Sequence, residues 1–463
     1  MGEATSARAA LEAESKPEAQ PAADAKVPAT LRDPGAPRFW LAVVLTGLCA
    51  GIGAALLTLL FKAAQDLAWG TPEPEALIAA ARAAGPLRHV AVPLAAGLVT
   101  VLGQWLMTRL TSGNGIEITA AIWFHAGRAP ALRTLGSAVL SIVIVGMGTA
   151  LGREGAPKQA GAVFGNLFSD LEKLSDDERR LMVAIGAGAG MAAVYSVPLG
   201  GAIFALEVLR GALALRLVLP ALAASLIATW TAAFVVPNAA LYAVPVYAVA
   251  ADVYLWAIVA SPLIGLASIA FVRAIAWADR VRPSDWRRFV APPAVLGLVG
   301  LVSIVFPELL GNGQDVAQFL FLHPLAPVVL AALVVLRPFA TVASAASGAP
   351  GGLFTPSLTF GALIGSALGG LWLAVHPGGG AIGLYALLGA GAMLAATTQG
   401  PISSLVLMME LTGQARAFAL PMLIAIVIAT ATARLIEARS IYEARLTDEE
   451  VAKRLRAREA TGV

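Results

Sequence analysis

Gly152-Arg153-Glu154-Gly155-Ala156-Pro157-Lys158-Gln159 is a polar break between two apolar runs, Leu135 to Leu151 and Ala160 to Phe168. An ionisable residue at membrane depth is costly and marks a pathway, while Gly and Pro interrupt a helix and leave backbone N–H groups free. A helix that starts here attracts anions to its N-terminus, and Glu154 is a built-in competitor for the same place. The chemistry this supports is reversible anion binding opposed by an internal carboxylate. A plainer reading is also open, a structural ion pair between Glu154 and Lys158 at i+4. Two further Gly-rich breaks have the same character: Ser112-Gly113-Asn114-Gly115-Ile116-Glu117 and Gly351-Gly352-Leu353-Phe354-Thr355-Pro356.

The elements that must hold these breaks are membrane spans. The chain has 463 residues, 58% hydrophobic and 13% charged, with a mean hydropathy of +0.78, against about 25% charged in ordinary globular domains. A single Cys excludes a disulfide framework. A net charge of +3, with basic residues dispersed in loops, gives no reason to expect nucleic acid. Neither H-E-x-x-H nor G-x-S-x-G occurs and the four His residues are scattered, so a hydrolase, a metal site and a cofactor are not expected.

Phe39 to Leu60, Val90 to Met107, Val218 to Val235 and Leu255 to Ala276 match the roughly 20 residues a span requires. Other apolar segments, among them Pro293 to Val305 and Ile402 to Leu411, are too short to cross alone. Ser175-Asp176-Asp177-Glu178 reads as a capping box before a helix near Arg179, and Leu181 to Leu209, with Gly186, Gly188, Gly190 and Pro198, as two packed segments. Asp279-Arg280-Val281-Arg282 and Arg287-Arg288 mark a cytoplasmic loop. The expected organisation is a disordered tail over 1–37, membrane repeats over 38–236 and 253–446 joined by a loop over 237–252, and a charged tail over 447–463.

The repeats rest on three pairs in the same order, each roughly 200 residues apart. Gly113-Asn114-Gly115-Ile116-Glu117 returns as Gly311-Asn312-Gly313-Gln314-Asp315, Glu154 in its break as Phe354, and Pro198 with its run to Glu207 as Pro401 with its run to Glu410. A duplicated chain with broken half-helices at matching places is the pattern of a transporter whose site lies between the repeats. Spacing leaves open whether the repeats are parallel or inverted, and which solute is moved.

With Gly113-Asn114-Gly115-Ile116, Gly152-Arg153-Glu154-Gly155 and Gly352-Leu353-Phe354-Thr355-Pro356 in order, the chain resembles the CLC family of chloride channels and chloride/proton exchangers, of the prokaryotic type without CBS domains, from Arg38 to Arg445. The resemblance implies an all-α integral membrane fold of two inverted repeats of tilted and broken transmembrane helices. It also implies a homodimer in the lipid bilayer of a prokaryotic plasma membrane, with both termini cytoplasmic, that moves chloride or a similar small anion. Glu154 matches the family's gating glutamate, and Asn114, Gly115, Ile116, Arg153, Gly155, Leu353, Phe354 and Tyr442 fall on its anion-binding positions. For Tyr442 an interfacial anchor is the alternative reading, and for Phe354 simple packing.

Some positions depart from the family pattern. Asn114 stands where chloride-selective members carry Ser, which leaves the preferred anion open. Glu117 replaces a Pro and reads as a helix cap, with Asp315 as its counterpart. Lys158 replaces an apolar residue and adds charge beside the pathway or snorkels away. Val208 stands where exchangers place an internal glutamate on the proton pathway. That favours a channel or uncoupled conductor, with proton exchange by another route as the alternative. Glu207 and its counterpart Glu410 read as structural.

Overall fold

The computed structural model describes residues 35–73, 76–111, 117–414, 416, 418–437, 439–443, 446–447, 449–452 and 456. Helix α1 (Ala36–Trp69) opens the chain, followed by α2 (Leu77–Ala83), α3 (Pro86–Leu110), α4 (Ile118–Phe124) and α5 (Ala131–Gly146). Next come α6 (Gly155–Leu171), α7 (Asp176–Tyr195), α8 (Pro198–Phe204), α9 (Leu215–Ala232), α10 (Ala251–Arg280) and α11 (Ala291–Ser303). The last group is α12 (Gln314–Leu322), α13 (Pro327–Ala346), α14 (Phe354–Val375), α15 (Ile382–Thr398), α16 (Pro401–Thr412) and α17 (Ala419–Ile436). Among the described residues seven helices, α1, α3, α9, α10, α13, α14 and α17, are long and apolar enough to cross a bilayer.

Helix α1 runs well past the expected end at Leu60. Gly70 terminates it in a left-handed conformation (φ 78°), and Gln65 turns its amide onto Thr71 O and Glu73 O. Its 34 residues are about 51 Å long at 1.5 Å per residue, more than the ~30 Å of a hydrocarbon core. The capping box forms at Ser175 and Glu178 and starts α7. Ser196, at φ 55°, ends α7 and lets α8 fold back on it.

Close packing in each half depends on glycine. A Cβ at Gly161 would fall 1.9 Å from Gly186 O, and one at Gly190 2.0 Å from Pro157 O, so α6 and α7 touch backbone to backbone. Helices α14 and α15 repeat the device, with Gly361 and Gly389 each placing a Cβ 2.5 Å from the other's carbonyl oxygen. Such small-residue seams hold helices together where lipid supplies no hydrophobic drive.

Equivalent residues of the two halves meet each other. Gly152 N donates to Gly352 O (2.7 Å) and Gly352 N to Gly152 O (2.8 Å), an antiparallel bridge. The Glu207 carboxylate accepts from Ile402 N and Ser403 N at the start of α16, and Glu410 accepts from Leu199 N and Gly200 N at the start of α8. Contacts that return when the partners are exchanged are the mark of a twofold relation. The two halves are inverted repeats of tilted and broken helices, and their carboxylates cap each other's half-helices, as the structural reading of Glu207 and Glu410 requires.

Candidate functional site

Glu154 is the N-cap residue of α6, with its side chain turned away from its own helix. The carboxylate crosses into the other half. Its Oε1 accepts from Phe354 N at 2.7 Å, and its Oε2 from the Thr355 hydroxyl at 3.0 Å and the Tyr195 hydroxyl at 3.2 Å. The two hydroxyls are 2.8 Å apart. Only 3% of Glu154 is exposed, and three donors are what a carboxylate needs at that depth, each bond to a charged group contributing about 1.5–3 kcal/mol.

The seat exists because two side chains are missing. A Cβ at Gly152 would lie 2.2 Å from both carboxylate oxygens, and one at Gly352 2.1 Å from Oε1. The bridge between these glycines thus fixes both walls of the seat. Phe354 begins the 22-residue helix α14, whose N-terminal partial charge favours an anion there.

Arg153 adds a positive charge held by aromatic faces. It is buried, its guanidinium carbon lies 5.4 Å from the Phe61 ring centroid and 5.2 Å from that of Tyr195, and Nε has no hydrogen-bond partner among the described residues. Aromatic faces stabilise such a cation while leaving its field available to an anion nearby.

A cavity of about 840 Å³ leads to the seat, its mouth at Arg282, Ser284 and Arg288 and its inner end at Gly155, Gly352 and Tyr442. Gln104 and Arg282 both donate to Gly348 O and fix the loop that delivers Leu353 and Phe354. Leu353, buried, is the N-cap residue of α14 and lines the cavity. Tyr442 is held by a bond from Ile441 N to Thr397 O (2.7 Å) and by the edge of Phe204, centroids 5.6 Å apart. The Lys158 ammonium lies 4.2 Å from the Tyr442 ring centroid, so this lysine is turned to the cavity. Glu117 caps α4 through Thr119 N and also lines the cavity, in keeping with a capping role.

Asn114, Gly115 and Ile116 lie outside the described residues. Of the other expected residues, the structure brings Arg153, Glu154, Gly155, Leu353 and Phe354 to one place, with Tyr442 further along the cavity. Val208 is buried in the π-helical turn Ala205–Arg210. Tyr195 and Thr355 were not singled out from sequence, although they supply two of the three donors to Glu154. Tyr195 is hidden in the apolar run of α7. Thr355 is the variable residue of Gly-x-Phe-x-Pro, and its hydroxyl was the available signal.

An all-helical membrane fold of inverted repeats, with half-helices converging on a buried anionic seat at the end of a cavity, defines an ion-transport protein. The chain belongs to the CLC family: the family model described as voltage gated chloride channel matches residues 95–434. A putative chloride channel protein ClcB-like of Ralstonia nicotianae is 32% identical over 408 residues, covering 85% of this chain and 93% of the relative. A voltage-gated ClC-type chloride channel ClcB of Salmonella typhi is 32% identical over 414 residues, covering 86% and 97%. The crystal structure of a slow cyanobacterial Cl−/H+ antiporter superposes with a TM-score of 0.77 at 23% identity over 90% of this chain and 99% of the other, a likeness of fold.

Proposed function

We propose that this chain moves chloride or a similar small anion across a prokaryotic plasma membrane through a pathway that Glu154 opens and closes. The observation that carries the reading is the Glu154 carboxylate itself, an anion held by Phe354 N and two hydroxyls at a helix N-terminus. Any small anion that reaches the same donors must displace it. Arg153 supplies positive charge, and the N-terminal backbone around Gly155, Leu353 and Phe354 the dipoles. Tyr442 and Lys158 stand where an anion from the cavity waits. Asn114, Gly115 and Ile116 complete the binding positions. Weak multipoint holding of this kind lets an ion enter and also leave. The working unit is a homodimer in the bilayer with one pathway per subunit.

Conduction without obligatory proton exchange is the form we favour. The position at which exchangers of the family place a titratable glutamate is filled here by buried Val208. The neighbouring Glu207 carboxylate is committed to Ile402 N and Ser403 N. Reconstituted protein under a chloride gradient is therefore expected to release chloride with no uphill proton movement, both fluxes being followed at once. Uphill protons at a fixed ratio to chloride would make the protein an exchanger, and the absence of flux with every small anion would remove the transport reading.

A further inference from the structure

Tyr195 and Thr355 are the two polar groups at the seat that no backbone geometry explains. Tyr195 is the last residue of α7, placed there by the left-handed Ser196 that follows. Its ring is stacked on Phe354, centroids 6.1 Å apart at 27°, and the Arg153 guanidinium covers it at 5.2 Å. The hydroxyl has little freedom to point elsewhere. Thr355 follows Phe354 in the first turn of α14. Both residues are 2% exposed.

The acceptors these two hydroxyl protons reach are each other's oxygens and Glu154 Oε2. We infer that Tyr195 and Thr355 form a hydroxyl latch: they hold the Glu154 carboxylate in its seat and become donors to the anion that replaces it. This rests on the gate reading above. Buried hydroxyls need an acceptor. When the carboxylate leaves, one hydroxyl can still donate to the other, but the second proton is left to water or to an incoming anion, and the charged acceptor is the stronger partner. The latch therefore favours exchange of carboxylate for anion over an empty seat. Arg153 above the Tyr195 ring polarises the phenol and strengthens it as a donor.

Tyr195→Phe and Thr355→Val each remove one donor with little change of shape. The test is chloride efflux from proteoliposomes at one fixed pH across a series of chloride concentrations, for each substitution with Glu154 present and in the Glu154→Gln background. With Glu154 present, each is expected to raise flux about tenfold, the loss of one hydrogen bond to a charged group. Thr355→Ser, which keeps the hydroxyl, is expected to restore wild-type flux. In the Glu154→Gln background neither substitution raises flux further, and each weakens the apparent chloride affinity about tenfold. Equal changes in both backgrounds would overturn the latch in favour of a packing role. No change with Glu154 present, while Glu154→Gln itself opens the pathway, would overturn the latch and leave the gate. A closed Glu154→Gln protein would remove both. Should Tyr195→Phe fail to fold, Thr355→Val and Thr355→Ser carry the same outcomes.

Discussion

Glu154→Gln is expected to raise chloride flux at neutral pH by at least about tenfold, because charge-assisted hydrogen bonds are roughly twice as strong as neutral ones. The carboxamide keeps the shape of the side chain and loses its charge. Phe354 N, Thr355 and Tyr195 then hold a neutral group that a chloride ion displaces easily. The carboxamide nitrogen is itself a donor, and facing any of these three donors it repels rather than binds. Protonation of the native carboxylate has the same consequence, so wild-type flux should rise on acidification and the Gln variant should be flat with pH. Efflux from proteoliposomes across a pH series checks both. A Gln variant with the wild-type flux and pH profile would take the gate away from Glu154.

Arg337→Met is expected to destabilise the fold by about 3–5 kcal/mol, the range found when one partner of a buried charged network is removed. Arg337 is 1% exposed. Its Nη1 donates to Glu308 O (2.9 Å) and Leu310 O (3.1 Å), and its Nη2 to Gly311 O (2.6 Å). One guanidinium thus ties α13 to the turn that leads into α12, and Gly313 leaves room for it, since a Cβ there would fall 2.8 Å from Nη2. Met leaves three carbonyls unsatisfied and the buried Asp315, which accepts from Ile78 N and Val316 N, without a compensating cation.

Arg337→Lys keeps the charge but not the fork that reaches three acceptors, so it should recover part of the loss. Adding Asp315→Asn to Arg337→Met should recover another part by removing the uncompensated charge, a coupling expected of neighbours in one network. Thermal unfolding of the purified protein in detergent reads all of these. An Arg337→Met protein within about 0.5 kcal/mol of wild type would mean that the network contributes only what an ordinary surface residue does.

Much of this arrangement was legible in the chain. Glu154 stood out because a carboxylate between apolar runs needs a reason, and the glycines around it signalled a broken helix. The repeats could be read because the breaks recur, and the reciprocal capping by Glu207 and Glu410 follows from their equivalent places. The orientation of the repeats could not be read from spacing, which is the same for parallel and inverted copies. The Gly152 to Gly352 bridge shows that the copies are related by a twofold, which spacing alone does not reveal.

The donors to Glu154 were only half legible. Phe354 was found through the repeat, yet Tyr195 and Thr355 act across 41 and 201 positions, and no local period encodes such a contact. Arg153 was marked as anion-binding, but that aromatic faces hold it depended on Phe61 and Tyr195 arriving from α1 and α7. The extension of α1 to Trp69 was missed because Lys62, Gln65 and Asp66 look like the end of a span. A helix longer than the bilayer is thick continues into water, and hydropathy cannot see that part.

The central claim is that the Glu154 carboxylate occupies a seat built for an anion, and bromide in crystals of the Glu154→Gln protein tests it most directly. The expected result is an anomalous peak within hydrogen-bond reach of Phe354 N and the Thr355 and Tyr195 hydroxyls, in the place the carboxylate holds in the wild type. A seat still filled by the substituted carboxamide or by water, with bromide bound only elsewhere along the cavity, would contradict it.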